Sequence, residues 1–127
     1  MRLCAFADEA SPLLTGQIAA LKRNELTLLE IRGVDSENIK DLTPAKAEEV
    51  RRLLDDAGIA VWSIGSPIGK YPLAKEFAPH LDDFKRVTEL AEILGATRIR
   101  MFSFYPEKDV EPARTREEVL KIGRAHV

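Results

Sequence analysis

The chain has 127 residues, 45% hydrophobic and 31% charged, which is the composition of a globular protein that can bury one core. Its formal net charge of -2 at pH 7 offers no positive surface for nucleic acid or an anionic membrane, so neither partner is expected. The single cysteine, Cys4, excludes an internal disulfide and a cysteine-based zinc site, and its apolar neighbours predict a small core residue. Asp8 and Glu9 come too early for a signal peptide and no apolar run reaches membrane-spanning length, so a cytoplasmic location is expected.

Strands are predicted to alternate with helices along the whole chain. In chain order the elements are the strand LCAF (3–6), a helix within SPLLTGQIAALKRN (11–24), the strand LTLLEIRG (26–33), the polar loop VDSENIKDL (34–42), a helix over 44–57, the strand IAVWSIGS (59–66), a helix from about Pro79 to Leu94, the strand TRIRMFSFY (97–105) and a last helix that begins near Thr115. Ser11 and Thr43 are the predicted N-caps, each followed by proline, and Gly95 is a predicted stop.

The order βαβαβαβ(α) predicts an α/β fold with a parallel sheet and right-handed crossovers. A doubly wound open sheet and half of a (β/α)8 TIM barrel both fit this order. The first strand-helix turn, FADEASP, lacks a glycine-rich phosphate loop, which weakens the case for a dinucleotide-binding sheet.

Charges inside the apolar strands also favour the barrel. Glu30 and Arg32 share one face of their strand, and Arg98 and Arg100 lie on the fourth strand. In a closed barrel, alternate strands contribute side chains to the same interior layer, so we expect Glu30 near Arg100. A buried charge without a partner would be costly. The alternative is that both arginines lie at the exposed lower end of the strand and extend into solvent.

Polar residues gather at the predicted carboxyl ends of the strands, where sites of parallel α/β folds form. They are Asp8, Glu9, Glu30, Arg32, Ser63, Ser66, Ser103 and Tyr105. The segment GSPIGK is not a nucleotide-binding P-loop, because its glycines are too close and Tyr71 replaces the magnesium-binding Ser or Thr. Lys70 in this loop could hold a phosphate or carboxylate, or it is a solvated loop residue.

Other candidates have plain structural interpretations. Asp8 and Glu9 are adjacent and would point to opposite faces of a strand, so they are not an acid-base pair by spacing. The aromatic residues of the third and fourth strands could line a sugar-binding floor or belong to the core. His80 is interpreted as a helix-surface residue. The sequence contains no His, Asp and Glu cluster with metal-ligand spacing and no Ser-His-Asp set.

Four segments resemble the sugar phosphate isomerase/epimerase family of xylose-isomerase-like TIM barrels. They are FADEASP, LLEIRGVDSENIKDLT, VWSIGSPIGKYPL and HLDDFKRVTELAEILGATRIRMFSFY, and the resemblance covers Met1 to about Leu120. The superfamily also includes inosose dehydratases and the family 2 apurinic-site endonucleases. The endonuclease metal cluster begins with histidines at the third and fourth strand ends, where this chain has Ser66-Pro67 and Ser103-Phe104, so DNA repair is not expected.

The resemblance implies a barrel of about twice this length. It also implies a divalent ion (Mn, Mg, Co or Zn), held by Glu, Asp, His and Glu on later strands, so no metal ligand is assigned in this chain. The implied reaction is metal-assisted proton transfer between adjacent carbons of a small sugar or polyol. The matching residues here supply the substrate-side rim: Glu30, Arg32, Gly33, Ser63, Ser66, Lys70, Phe102, Ser103 and Tyr105. A dehydratase-like lyase and a half-barrel binding or assembly module remain as alternatives.

The final segment KIGRAHV interrupts the helical pattern TREEVLK. It back-translates as AAG ATC GGA AGA GCA CAC GTC, which from the last two bases of the Lys121 codon is the start of a common sequencing adapter. We therefore expect residues 1–121 to be an incomplete barrel half and residues 122–127 a non-native tail. The isolated chain is expected to be inactive and to self-associate or aggregate through its open sheet edges.

Overall fold

The computed structural model describes residues 2–106 and 110–125. Within these residues the chain is a mixed α/β fold with a three-stranded parallel sheet and four helices. The helices are α1 (Leu14–Arg23), α2 (Pro44–Asp56), α3 (Ala78–Leu94) and α4 (Pro112–Ala125), and the strands are β1 (Leu28–Ile31), β2 (Gly33–Val34), β3 (Glu37–Asn38), β4 (Ala60–Gly65) and β5 (Ile99–Arg100). None of the helices in this part of the chain has the length and apolar character needed to cross a membrane.

The parallel sheet follows the order of the chain. Strand β1 pairs with β4, and β4 pairs with β5, all in parallel. The predicted first strand is reduced to one parallel bridge, between Ala5 and Leu29, on the outer edge of β1. Among the described residues this bridge has a sheet neighbour on one side only. The predicted fourth strand is also shorter than expected: β5 covers only Ile99–Arg100, and the left-handed φ of 67° at Phe104 interrupts the extended backbone further along the predicted strand.

The helix ends follow local capping chemistry in α2 and α3. The Thr43 hydroxyl accepts a hydrogen bond from the Lys46 N–H at 3.2 Å, and Gly95 ends α3 in the left-handed conformation. Helix α1 begins later than predicted. Its first N–H, on Leu14, is capped at 2.9 Å by the carboxylate of Asp35, which lies 21 residues further along the chain.

One hydrophobic core lies between the sheet and helices α1 to α3. Its members from the sheet include Leu29, Ile31, Val61 and Ile64, and those from the helices include Leu14, Leu21, Val50, Leu54, Val87 and Leu90. The helices therefore cover one face of the sheet. The predicted polar loop at 34–42 also contributes to this core, because β2 and β3 form a short antiparallel hairpin that buries Val34, and the following turn buries Ile39 and Leu42.

Two predictions at the chain's ends are wrong in detail. Cys4 is exposed, because strand alternation turns its neighbour Ala5 toward the core. Helix α4 begins at Pro112 instead of near Thr115, and its backbone continues through the expected interruption at Lys121 as far as Ala125. The remainder of the predicted tail, His126 and Val127, lies outside the described residues.

Candidate binding site at the carboxyl end of the parallel sheet

A depression of about 360 Å³ lies at the carboxyl ends of the strands. Its lining consists of Phe6, Arg32, Asn38, Gly65, Ser66, Pro67, Lys70, Arg100 and Phe102. Most of these residues end or follow the first bridged segment, β1, β4 and β5, whereas Asn38 belongs to the β2–β3 hairpin, so the fold brings together side chains that are up to 96 positions apart. Four predicted site residues line it: Arg32, Ser66, Lys70 and Phe102.

The expected ion pair between the second and fourth predicted strands is present. The Arg100 Nε donates to Glu30 Oε1 at 2.7 Å, although β4 lies between the two strands that carry them. Gly65 makes this crossing possible. A Cβ at Gly65 would lie 3.1 Å from Arg100 Nη2 and 3.3 Å from Glu30 Oε1. The ion pair therefore occupies the space that a side chain at position 65 would need.

A second ionic group joins Arg32 to the first strand-helix turn. Its Nε and Nη2 donate to the two oxygens of Asp8 at 2.8 and 3.2 Å, and Nη2 also donates to Glu9 at 3.2 Å. The hydrogen bonding that Arg32 donates to the Asp8 carboxylate is the largest cause that raises the pKa of Arg32 above its usual value. Asp8 and Glu9 meet one cation, contrary to the strand-based expectation, because they lie in a 3-10 turn, Ala7–Glu9.

Two phenylalanine rings hold the cations of the depression in place. The guanidinium carbon of Arg100 lies 4.8 Å from the ring centre of Phe102 and 5.4 Å from that of Phe6. Arg32 lies 5.0 Å from the Phe6 ring, and Lys70 Nζ lies 4.6 Å from the Phe102 ring. Cations in these positions are attracted to the ring faces, so their side chains are positioned before any ligand arrives.

His80 fixes the loop that carries Lys70. The prediction of a surface residue is wrong: His80 is 5% exposed, its Nε2 accepts a hydrogen bond from the Gly69 N–H at 2.9 Å, and its ring stacks on Tyr71 at 4.4 Å. Burial lowers the pKa of His80, while the charge of Asp83 opposes this change. The helical spacing of His80 with Phe84 and Val87, which lie on the inward stripe, was the signal that could have placed it correctly.

The predicted serine and tyrosine positions differ in their surroundings. The Ser66 hydroxyl donates to the Arg100 carbonyl at 2.6 Å and accepts from the Ile68 N–H at 3.3 Å, so it ties the loop to β5. Ser63 is buried beside Glu30 in the β1–β4 register, and its Oγ has no hydrogen-bond partner among the described residues. Ser103 and Tyr105 are not brought to the depression: Ser103 lines a separate apolar cavity of about 400 Å³, and Tyr105 is 52% exposed.

The remaining aromatic and basic candidates lie elsewhere. Trp62 contacts Arg98 at 3.9 Å and Arg2 at 4.8 Å, measured to the ring centre, and does not line the depression. Arg98 is exposed, as the solvent-directed alternative predicted, whereas Arg100 is paired. The sequence did not single out Phe6, Asn38 and Gly65 as site residues. Phe6 was assigned to a buried strand and Asn38 to a loop, and no local signal marks Gly65.

The arrangement can bind and orient a ligand that offers hydrogen-bond acceptors. The described ranges contain no group of three or more His, Cys, Asp or Glu residues that could hold a metal ion, so these residues are assigned no metal chemistry. Comparison with known proteins found no matching family model and no matching curated protein.

Proposed function

We propose that this chain is the first half of a (β/α)8 barrel of the sugar phosphate isomerase/epimerase type. The observation that carries the proposal is the sheet order, in which the Ala5 bridge, β1, β4 and β5 follow one another as they do along the chain. A doubly wound sheet reverses its order at a switch point, whereas a barrel adds each strand beside the previous one.

The two faces of the sheet support the same architecture. Helices α1 to α3 pack in one core against the same face. The other face carries the Glu30–Arg100 pair, which spans β4. Barrel interiors are built from layers to which alternate strands contribute, and β1 and β5 are alternate members of this sheet. A doubly wound sheet would instead need helices on both faces.

In this proposal the described residues form the substrate-side rim, and they bind and orient a sugar or polyol through the depression. The reaction is proton transfer between adjacent carbons. The described ranges contain no group of three or more His, Cys, Asp or Glu residues that could hold a metal ion, so in this proposal the divalent ion takes its ligands from other strands of the barrel. The assigned roles are therefore limited to holding the substrate with Arg32, Lys70 and Arg100 and to excluding water over Phe6 and Phe102.

A half-barrel module that binds or assembles is the second candidate. It is favoured by apolar side chains that remain exposed at both edges of the sheet: Leu3 and Phe6 near the first bridge, and Met101 and Phe102 after β5. Exposed apolar residues beside unpaired strand edges are typical of surfaces that associate. Analytical ultracentrifugation of the 127-residue chain tests this property, with a dimer or larger species as the expected result.

The experiment that tests the enzyme proposal is a long read of the source locus across codon 121, followed by expression of the whole reading frame. We expect further strand-helix units with Glu, Asp, His and Glu at later strand ends, and an isomerase or epimerase activity that chelators abolish. A stop codon directly after codon 127 in the native locus would contradict the proposal and leave the binding module.

A further inference from the structure

The depression contains hydrogen-bond donors that lack acceptors. Arg100 uses only its Nε on Glu30, so both of its terminal nitrogens have no protein acceptor in the described part of the chain. Lys70 Nζ has no carboxylate within 4 Å among residues 2–106 and 110–125. The carboxylates of Asp8, Glu9 and Glu30 already accept hydrogen bonds from arginine. A ligand that complements this lining must itself supply the acceptors.

The charges around the depression limit the charge of that ligand. Arg100 is neutralised by Glu30, and Arg32 carries both Asp8 and Glu9. Lys70 is therefore the one lining cation without a carboxylate partner in the described ranges. A single negative charge would be matched by Lys70, whereas a second would be placed close to three carboxylates and would be repelled by them.

The shape of the donors points to a planar acceptor. The two terminal nitrogens of a guanidinium form a fork that fits both oxygens of a carboxylate. Glu30 at 2.7 Å and the rings of Phe6 and Phe102 hold the Arg100 guanidinium in position. Both rings are more than a third exposed, so they offer apolar faces on which the C–H side of a sugar can lie.

We propose that the depression binds a sugar acid, that is, a polyhydroxylated chain or ring with one carboxylate. The carboxylate pairs with Lys70 and accepts hydrogen bonds from the terminal nitrogens of Arg100, while the hydroxylated body lies against Phe6 and Phe102. This inference names the substrate class for the site of the proposed function and therefore rests on it. Binding itself requires neither a metal nor catalysis, so it is measurable on the 127-residue chain.

The test is a titration of the chain with D-gluconate, D-glucose and D-glucose 6-phosphate, followed by amide chemical shifts in NMR. We expect D-gluconate to shift the amide signals of Gly65, Ser66 and the segment 68–70, and to bind at least about tenfold more tightly than either of the other probes. Lys70→Met should weaken D-gluconate binding about tenfold or more, and Lys70→Arg should retain most of it. Lys75→Met is the matched control, because Lys75 also lies over an aromatic ring, that of Tyr71 at 5.9 Å, but does not line the depression.

Several outcomes would overturn the inference. These are equal binding of D-glucose and D-gluconate, tighter binding of the phosphate, equal effects of Lys70→Met and Lys75→Met, or no binding of any probe. The inference and the proposed function fail in different experiments. An isomerase found at the source locus whose first half binds only neutral sugar would reject the sugar acid alone. Selective D-gluconate binding by a chain whose native reading frame stops would reject the enzyme alone.

Discussion

Replacing Gly65 by alanine should disturb the ion pair that crosses β4. The new Cβ would lie 3.1 Å from Arg100 Nη2, 3.2 Å from Arg32 Cβ and 3.3 Å from Glu30 Oε1, all closer than ordinary van der Waals contact. Glu30 and Arg100 are mostly buried, with side chains 19% and 32% exposed, so both must shift by a few tenths of an ångström within a packed layer. Overpacking of this kind costs about 1–3 kcal/mol, and we expect about 2 kcal/mol.

The assay is urea unfolding of four chains: the original, Gly65→Ala, Arg100→Ala and the double variant. If the clash is with the guanidinium, Gly65→Ala should cost at least about 1 kcal/mol less in the Arg100→Ala background, because Glu30 is then free to move. Some cost should persist, since the contact with Arg32 Cβ remains. Equal costs in both backgrounds, within about 0.5 kcal/mol, would refute the claim that Gly65 is required for the ion pair.

Three further predictions concern the loops around the sheet. Burial lowers the pKa of His80, so the folded chain favours the neutral imidazole. The free energy of unfolding should therefore be unaffected by His80 above its unfolded pKa of about 6.5 and should fall as the pH drops below that value. Urea midpoints between pH 8 and pH 5 should show this loss, and His80→Phe should remove the part of the loss that comes from His80. Gly69→Ala should destabilise the fold by more than about 1 kcal/mol, because Gly69 has φ 85° and an added Cβ would collide with the Phe102 carbonyl. A thermal unfolding midpoint within error of the original chain would contradict this. Asp35→Ala should lower the free energy of unfolding by about 1–2 kcal/mol and speed hydrogen exchange at the Leu14 amide, because the N-terminal cap of α1 is lost. Asp35→Asn should retain much of the cap, so equal exchange rates in the two variants would contradict the capping role.

The periodic parts of the fold could be predicted from the sequence. Helices α2 and α3 were located because their caps, Thr43 and Gly95, act within a few residues of the helix ends. The Glu30–Arg100 pair could be expected because the period of two in strands and the layering of a barrel do not depend on details of the loops.

The features that could not be predicted depend on tertiary contacts, which leave no local pattern in the sequence. The cap of α1 comes from Asp35, 21 positions after the N–H that it accepts from. The 3-10 turn that brings Asp8 and Glu9 onto one arginine replaced the strand geometry on which their separation was predicted. Ser66 was expected to face a ligand, but its hydroxyl is bound to two backbone groups that only the folded loop brings near.

The Ala5 bridge has a kinetic consequence for the depression. The segment around Ala5 is joined to β1 by two backbone hydrogen bonds, of 3.4 and 3.0 Å, yet it carries the Phe6 ring that lies against Arg32 and Arg100. Such a segment can detach in a local opening while the remainder of the sheet stays closed. The Glu30 amide, which donates to Ala5, would then exchange with solvent faster than the amides within β4, and the ring would leave its cations each time it opened. A ligand bound against Phe6 would slow this exchange. Entry of the ligand into the depression and opening of the sheet edge would then be the same process.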